Sequence, residues 1–261
     1  MKDKDIQQIE LLKTMGRAII DYNMIEEGET VLVCLSGGKD SITLIDLLYK
    51  NQKIRIFPKS YNLVAFHITL TKEDTNYKIL GDYCRERNIP FYFKLSDLTP
   101  FIEKKENHRK NECYICSQIR RKWILDQAEA LNIKKIAFGH TLDDIVTTSL
   151  MNIFFNRTLA SEVPKLSILE DKFCLIRPLA YLSEDRIQSY VKKHNLPVFK
   201  SRCTIGDDGR RKKTQKLIDS LLFEFPDIKE NIFAAFRNPS NKFLLNNSFN
   251  PPDHKGKKYR P

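Results

Sequence analysis

Hydrophobic and polar positions alternate between two periods along this chain. Ile6, Ile9, Leu12, Ala18 and Ile19 recur at helical spacing, so the first 25 residues are expected to form a helix. Val31 to Leu35 is a short, continuous, β-branched apolar run between Gly28 and a glycine pair, the mark of a strand buried on both faces. Residues 40–51 return to helical spacing, with Ile42, Leu44, Ile45, Leu47 and Leu48. The same reading gives strands at Leu63–Leu70, Phe91–Leu95, Lys135–Gly139 and Phe173–Ile176, and helices over 73–88, 114–131, 142–155 and 183–195. Residues 214–236 read as one or two helices broken near Pro226. Residues 96–112 show no period and are expected to be a loop. Residues 156–172 are loop-like, with a hairpin or a mobile segment as alternatives, and periodicity is lost after Pro239.

Strands alternating with helices predict βαβ units and an α/β fold, a parallel sheet flanked by helices with a small helical C-terminal appendage. In such sheets ligands bind beyond the carboxyl ends of the strands. The pattern divides the chain into an N-terminal helical segment (1–27), a main α/β domain (28–200), a segment with a cysteine and C-terminal helices (201–240) and a basic tail (241–261). No internal repeat is present.

Composition narrows the class of protein. The 261 residues carry 44 Lys and Arg against 33 Asp and Glu, a net charge of +11. That excludes an acidic disordered chain and favours a polyanionic partner. The first residues mix acids and bases around no apolar stretch, and no run reaches the roughly 18 apolar residues a spanning helix needs, so a cytoplasmic location without membrane contact is expected. Six cysteines in a chain of this size then read as thiols or metal ligands rather than disulfides.

Three stretches carry candidate chemistry. In V-L-V-C-L-S-G-G-K-D-S (31–41), a strand runs through two glycines into a helix. Gly37 and Gly38 let backbone N–H groups approach an anion, and the helix start adds donors and partial positive charge. Ser36 and Ser41 offer hydroxyls, Lys39 a cation, and Asp40 suits a magnesium ion beside phosphate. The usual P-loop requires a glycine where Val33 stands. In C-Y-I-C (113–116), the pair Cys113 and Cys116 is expected at a helix start. It is compatible with a redox pair, half a zinc site, part of an iron–sulfur site or two buried residues. A zinc site would draw on Cys203 and on His108 or Cys84. In K-K-I-A-F-G-H-T-L-D-D-I (134–145), a strand ends at Gly139–His140 before a helix opened by Asp143 and Asp144. These acids can cap the helix, hold magnesium or position a base being activated. His140 can touch phosphate, act as an acid or be structural. The basic groups Arg120–Lys122 and Arg210–Lys213 follow Cys116 and Cys203.

The S-G-G-K-D-S segment resembles the PP-loop of ATP pyrophosphatases. With the stretch before it, D-Y-N-M-I-E-E-G-E-T-V-L-V-C-L, it closely resembles the tRNA 2-thiocytidine synthase family, TtcA. C-Y-I-C-S-Q-I-R-R-K, G-H-x-x-D-D and R-P-L-A-Y (177–181) match the same family, so the resemblance covers roughly residues 15–205. It implies an ATP-dependent tRNA sulfurtransferase of the PP-loop, adenine nucleotide alpha hydrolase-like fold. Such an enzyme adenylates the C2 oxygen of cytidine 32 in the anticodon loop and replaces it with sulfur carried at a 4Fe-4S cluster. Cofactors would be ATP, Mg2+ and the cluster. Ser36, Gly37, Gly38, Lys39, Asp40, Ser41, Gly139 and His140 would hold the nucleotide, with Asp40 on magnesium. Asp40, Asp143, Asp144 and the cysteines would serve catalysis. Cys113, Cys116 and Cys203 would bind the cluster. Gly206 stands where the family shows a second cysteine after Cys203. Partners would be tRNA and a sulfur donor such as a cysteine desulfurase, and a homodimer is compatible. Relatives in the superfamily thiolate uridine, so the base stays open. Another tRNA-modifying or amide-forming synthetase, of 2-thiouridine or lysidine type with zinc or plain cysteines, is the alternative.

Overall fold

A computed structural model describes residues 3–57, 60–69, 74–96, 109–199 and 209–244, with the side chains of 3–5, 109–115 and 241 left aside. Cys203, Gly206, His108, most of the expected 96–112 loop and the tail from 245 onward lie outside the described residues.

The described elements run α1 (Asp3–Asp21), β1 (Thr30–Leu35), α2 (Lys39–Ile54), β2 (Asn62–Ile68), α3 (Asn76–Arg85), β3 (Phe91–Lys94), α4 (Arg109–Ala130), β4 (Lys135–Ala137) and α5 (Leu142–Asn156). Then follow β5 (Lys165–Ile168), β6 (Phe173–Ile176), α6 (Glu184–His194), α7 (Gly209–Leu221), α8 (Ile228–Arg237) and a 3-10 turn (Asn241–Phe243). The strands form one six-stranded sheet in the order β3-β2-β1-β4-β6-β5. All pairings are parallel except β5 with β6. The expected α/β sheet is therefore present, and residues 165–176 form the hairpin that gives it an antiparallel edge.

β1 lies in the middle, and its period-2 alternation divides the core. Val31, Val33 and Leu35 pack with Leu12, Met15, Ile42, Ile45, Leu80 and Ile187 of α1, α2, α3 and α6. Leu32 and Cys34 face the other way, toward Ile124 and Ala128 of α4. A strand covered on both faces has no solvent side, hence its continuous apolar run. From β1 the chain steps outward to β2 and β3, then returns to place β4 on β1's other side. The strand order reverses there, opening a crevice at the carboxyl ends of β1 and β4.

One buried carboxylate ties the helices of the first face together. Asp46 on α2 is 1% exposed. It accepts hydrogen bonds from Tyr83 Oη of α3 at 2.8 Å and Tyr190 Oη of α6 at 2.6 Å, and pairs with Lys50 Nζ at 2.9 Å. Burial, and next the Asp46 charge, push both tyrosine hydroxyls above their ordinary range.

The chain divides into two compact units: Met1–Asp143 with Val163–Asp207, and Asp144–Glu162 with Asp208–Pro261. α1 shares the first unit with the whole sheet. Inside the second unit, Thr147 donates to Gln215 at 2.8 Å, Arg211 pairs with Asp144, and Arg210 sits 5.1 Å over the ring of Phe155.

Candidate active site

The loop between β1 and α2 is organised by its own hydroxyls. Ser41 Oγ donates to the Gly38 carbonyl at 3.0 Å, so its lone pairs accept from Ser36 N (3.2 Å) and Ser36 Oγ (3.1 Å). Gly38 N donates to Ser36 Oγ at 3.2 Å. Gly37 adopts φ +83°, and its carbonyl accepts from Phe199 N at 2.8 Å. A Cβ on Gly37 would lie 3.2 Å from the Phe199 ring, so both the backbone angle and the packing require glycine. Gly38 is the N-cap of α2 and brings no side chain of its own. The first turn receives no side-chain cap hydrogen bond from it, and a helix start of this kind favours anions.

The second loop meets the first directly. β1 and β4 are hydrogen-bonded neighbours with Val33 opposite Ala137, so Gly139 falls beside the start of α2. A Cβ there would stand 2.9 Å from Asp40 C and Ser41 N. The glycine is the contact between the two motifs.

The polar side chains around this junction are interlocked. Lys39 Nζ lies 3.2 Å from Asp40 Oδ2 and 3.0 Å from Glu184 Oε2. Burial alone would lower the Lys39 pKa, but the two carboxylates outweigh it and raise it. Asp143 is buried, and its Oδ2 accepts from Glu184 N at 2.8 Å, which caps the start of α6 rather than its own helix. Asp144, one residue on, belongs to the second unit and pairs with Arg211. Arg177 is 7% exposed. It donates through Nε to His140 Nδ1 at 3.0 Å and through Nη1 to the Val163 carbonyl at 2.6 Å. The His140 ring stacks on Phe138 at an interplanar angle of 8°.

On the other side of β1, His67 is the last residue but one of β2, with Nδ1 donating to the Leu35 carbonyl at 2.7 Å. Burial is the main cause holding its pKa below the usual histidine value. Its Nε2 is buried without a hydrogen-bond partner among the described residues. Burial pushes the Cys34 thiol up to about 12, against the opposing pull of Arg120.

Cys113 and Cys116 fall in the second turn of α4, which begins at Arg109, rather than at the helix start. Their i, i+3 spacing puts both on one helical face. Cys116 is half-buried and Arg120 follows one turn later. No group of three His, Cys, Asp or Glu able to hold a metal gathers among the described residues, a set from which Cys203 and the Cys113 side chain are absent.

The structure thus brings together Ser36, Gly37, Gly38, Lys39, Asp40, Ser41 and Gly139, with His140 next in the chain. Glu184 and the partnership of Arg177 with His140 were not read from sequence. The S-E-D helix start and R-P-L-A-Y were visible there, but their partners lie 145 and 37 residues away.

The profile of the PP-loop domain family matches residues 6–204. The chain is 35% identical over 229 residues to a tRNA-cytidine(32) 2-sulfurtransferase of Ralstonia pickettii, covering 87% of this chain and 72% of that protein. It is 33% identical over 231 residues to one of Acinetobacter baumannii, covering 88% and 76%. Among solved structures it is similar to the U34-tRNA thiolase NcsA from Methanococcus maripaludis with its [4Fe-4S] cluster. The TM-score is 0.70 at 24% identity, over 88% of this chain and 78% of that one, a likeness of fold. No described helix is long and apolar enough to cross a membrane.

Proposed function

The chain belongs to the PP-loop family that includes the tRNA-cytidine(32) 2-sulfurtransferases, and from that premise we propose how its residues serve ATP-dependent thiolation of a tRNA cytidine. The observation that carries the proposal is the packing of Gly139 on Asp40 and Ser41, which joins both motifs at the point where the strand order reverses.

ATP enters with its phosphates over the Gly37–Gly38 turn and the first turn of α2. Asp40 is the carboxylate suited to magnesium, and Lys39 supplies a cation beside it. The cytidine C2 oxygen attacks the α-phosphorus, the bond to the bridging oxygen breaks, and pyrophosphate leaves. Sulfur at the sulfide level then attacks C2, a C–S bond forms, the C2–O bond breaks and AMP leaves. Lys39 balances charge on the phosphates, and Glu184 keeps its ammonium in the site. Asp143 acts by fixing the start of α6, and with it Glu184. Asp144, the second acid of the motif in sequence, is the further carboxylate assigned to catalysis.

The i, i+3 thiols of α4 fit an iron–sulfur centre in donor chemistry and in their common helical face. Cys113, Cys116 and Cys203 would hold a 4Fe-4S cluster, which when bound supplies sulfur for the activated base. A cysteine desulfurase fits the role of sulfur donor. The basic residues Arg210–Lys213 suit the phosphates of tRNA, with binding that weakens steeply as salt rises.

The test is anaerobic purification with iron and sulfide analysis, then incubation with ATP and unmodified tRNA followed by nucleoside analysis. ATP-dependent 2-thiocytidine supports the proposal. 2-Thiouridine would move the substrate to a uridine, and zinc without sulfide would remove the cluster from the reading.

A further inference from the structure

We propose that the groove between α3 and β3 is a stacking site for an unpaired base of the RNA substrate, beside the base that reacts. Tyr77, Lys78, Gly81 and Arg85 of α3 form one wall, and Phe91 and Phe93 of β3 the other. The groove holds about 590 Å³, within the range of sites for small molecules.

Its aromatic rings are already aligned. Tyr77 and Phe93 stack with centroids 4.6 Å apart at 20°, and Phe91 stacks with Phe93 at 6.0 Å and 23°. The period of two along β3 turns Phe91 and Phe93 to the same side, toward α3. Gly81 lets the helix approach them, since a Cβ there would stand 3.3 Å from the Phe91 ring. A base entering the groove therefore meets rings whose planes are nearly parallel to one another. Ile79, Tyr92, Phe93 and Leu95 are each more than 40% exposed, so apolar surface collects along this edge of the sheet, as at an interaction site.

Charge selects the partner. Lys78 is exposed beside Tyr77, and Arg85 stands two turns further along α3. Asp82 is the one acid that lines the groove among the described residues, and it is paired with Arg85 at 2.9 Å. Lys94 adds a cation on the opposite face of β3, its Nζ 5.2 Å from the Trp123 ring of α4. Cations interleaved with aromatic rings match a phosphate chain that carries stacking bases. A second copy of this chain, with its net charge of +11, would instead bring like charge to the same edge.

The groove opens at the edge of the sheet where the reaction takes place. α3 follows the carboxyl end of β2 and has Tyr77 in its first turn, and Phe93 is the last residue but one of β3. β3 lies two strands from β1, about 10 Å at the usual strand spacing. That is a short reach for an RNA loop whose bases are splayed out for recognition. That the RNA is a tRNA, and that a neighbouring base reacts, rests on the reading above; the fit of the groove to a stacked base does not.

The test is binding of end-labelled, unmodified tRNA to the full chain, followed by fluorescence anisotropy over a series of salt concentrations. ATP binding by calorimetry checks that the rest of the site is intact. Tyr77→Leu and Phe93→Leu keep apolar bulk but remove the ring, and each should weaken tRNA binding about tenfold, within the range for loss of one stacked base. Tyr77→Phe and Phe93→Tyr keep the ring and should bind as the native protein does. Lys78→Ala should reduce the slope of log affinity against log salt by about one. In turnover, the leucine variants should raise KM for tRNA and leave the affinity for ATP unchanged.

Leucine variants that bind tRNA as tightly as the native protein would overturn the proposal. So would ring-keeping variants that bind as weakly as the leucine variants. Leucine variants with native tRNA affinity but altered sedimentation would make the groove an interface between copies and overturn it as well. A native protein without affinity for tRNA would overturn both the groove and the functional reading. A native protein that binds tRNA through these rings but never thiolates it would overturn the functional reading and leave the groove in place.

Discussion

Replacing Asp46 by alanine tests how the helices that carry the site are held. The carboxylate is 1% exposed and has three partners within 2.9 Å: two tyrosine hydroxyls and the Lys50 ammonium. Hydrogen bonds to a charged group contribute about 1.5–3 kcal/mol each. Burying the carboxylate costs several kcal/mol, which consumes much of that gain. Removal is nevertheless expensive, because the partners stay behind. Tyr83 and Tyr190 lose an acceptor in a dry site, and Lys50, 23% exposed, loses its counter-charge. Breaking a buried pair in this way costs about 3–5 kcal/mol. At about 2–4 °C per kcal/mol for a protein of this size, the melting temperature should fall by roughly 6–20 °C. The assay is urea and thermal unfolding followed by fluorescence of Trp123, the single tryptophan, which lies on α4 in the same unit. Tyr83→Phe and Tyr190→Phe should each cost less than Asp46→Ala, and the tyrosine changes should matter little once Asp46 is gone. A loss below about 1 kcal/mol, the range of an exposed pair, would refute the reasoning and mean that water replaces the carboxylate.

Other outcomes are expected. Gly139→Ala should weaken ATP-dependent activity, because the new methyl meets backbone at 2.9 Å and must displace one loop from the other, at about 1–3 kcal/mol; unchanged pyrophosphate release would contradict this. The hydroxyls of Tyr61, Tyr83 and Tyr190 are pushed up by burial, the latter two also by Asp46, so their stabilising contribution is complete below the free tyrosine value near pH 10. It is lost as pH rises above that, and urea midpoints measured from pH 8 to 11 should fall at the alkaline end, less steeply in Tyr83→Phe. Cys113→Ala should abolish thiolation yet retain ATP binding by calorimetry, and Asp40→Ala should do the converse, sparing iron content while stopping pyrophosphate release. Equal loss of both functions in either variant would mean that the sites are not separable.

What sequence could reveal depended on the distance over which each residue finds its partners. β1 and its loop were legible because burial on both faces writes itself as an unbroken apolar run, and the φ +83° turn as glycine. β3 was legible as a strand from F-Y-F-K, but not as the sheet edge where Tyr92 and Phe93 stay exposed. Lys165–Ile168 was read as loop-like with a hairpin as one alternative, because a short edge strand with no fully buried residue leaves no clear apolar period. The start of α4 was placed five residues late, since R-K-N-E-C carries no apolar stripe. The candidate site was legible as motifs and not as contacts. Asp143 suggested a cap for its own helix, yet it caps α6, 41 residues on. Arg177 stood out only within R-P-L-A-Y, and its bond to His140 spans 37 residues.

The path of the chain between the two units has a further consequence. It leaves the first after Asp143, returns at Val163 and leaves again after Asp207. The smaller unit is therefore stitched in at three places rather than appended. A cut after Asp207 would not release it cleanly. It would strand residues 144–162 without Arg210, Arg211 and Gln215, the partners of Phe155, Asp144 and Thr147. The C-terminal segment is only part of its compact unit. Transplanting it between relatives means moving two separate stretches of sequence together, and two fragments split at that bond should regain activity only when mixed.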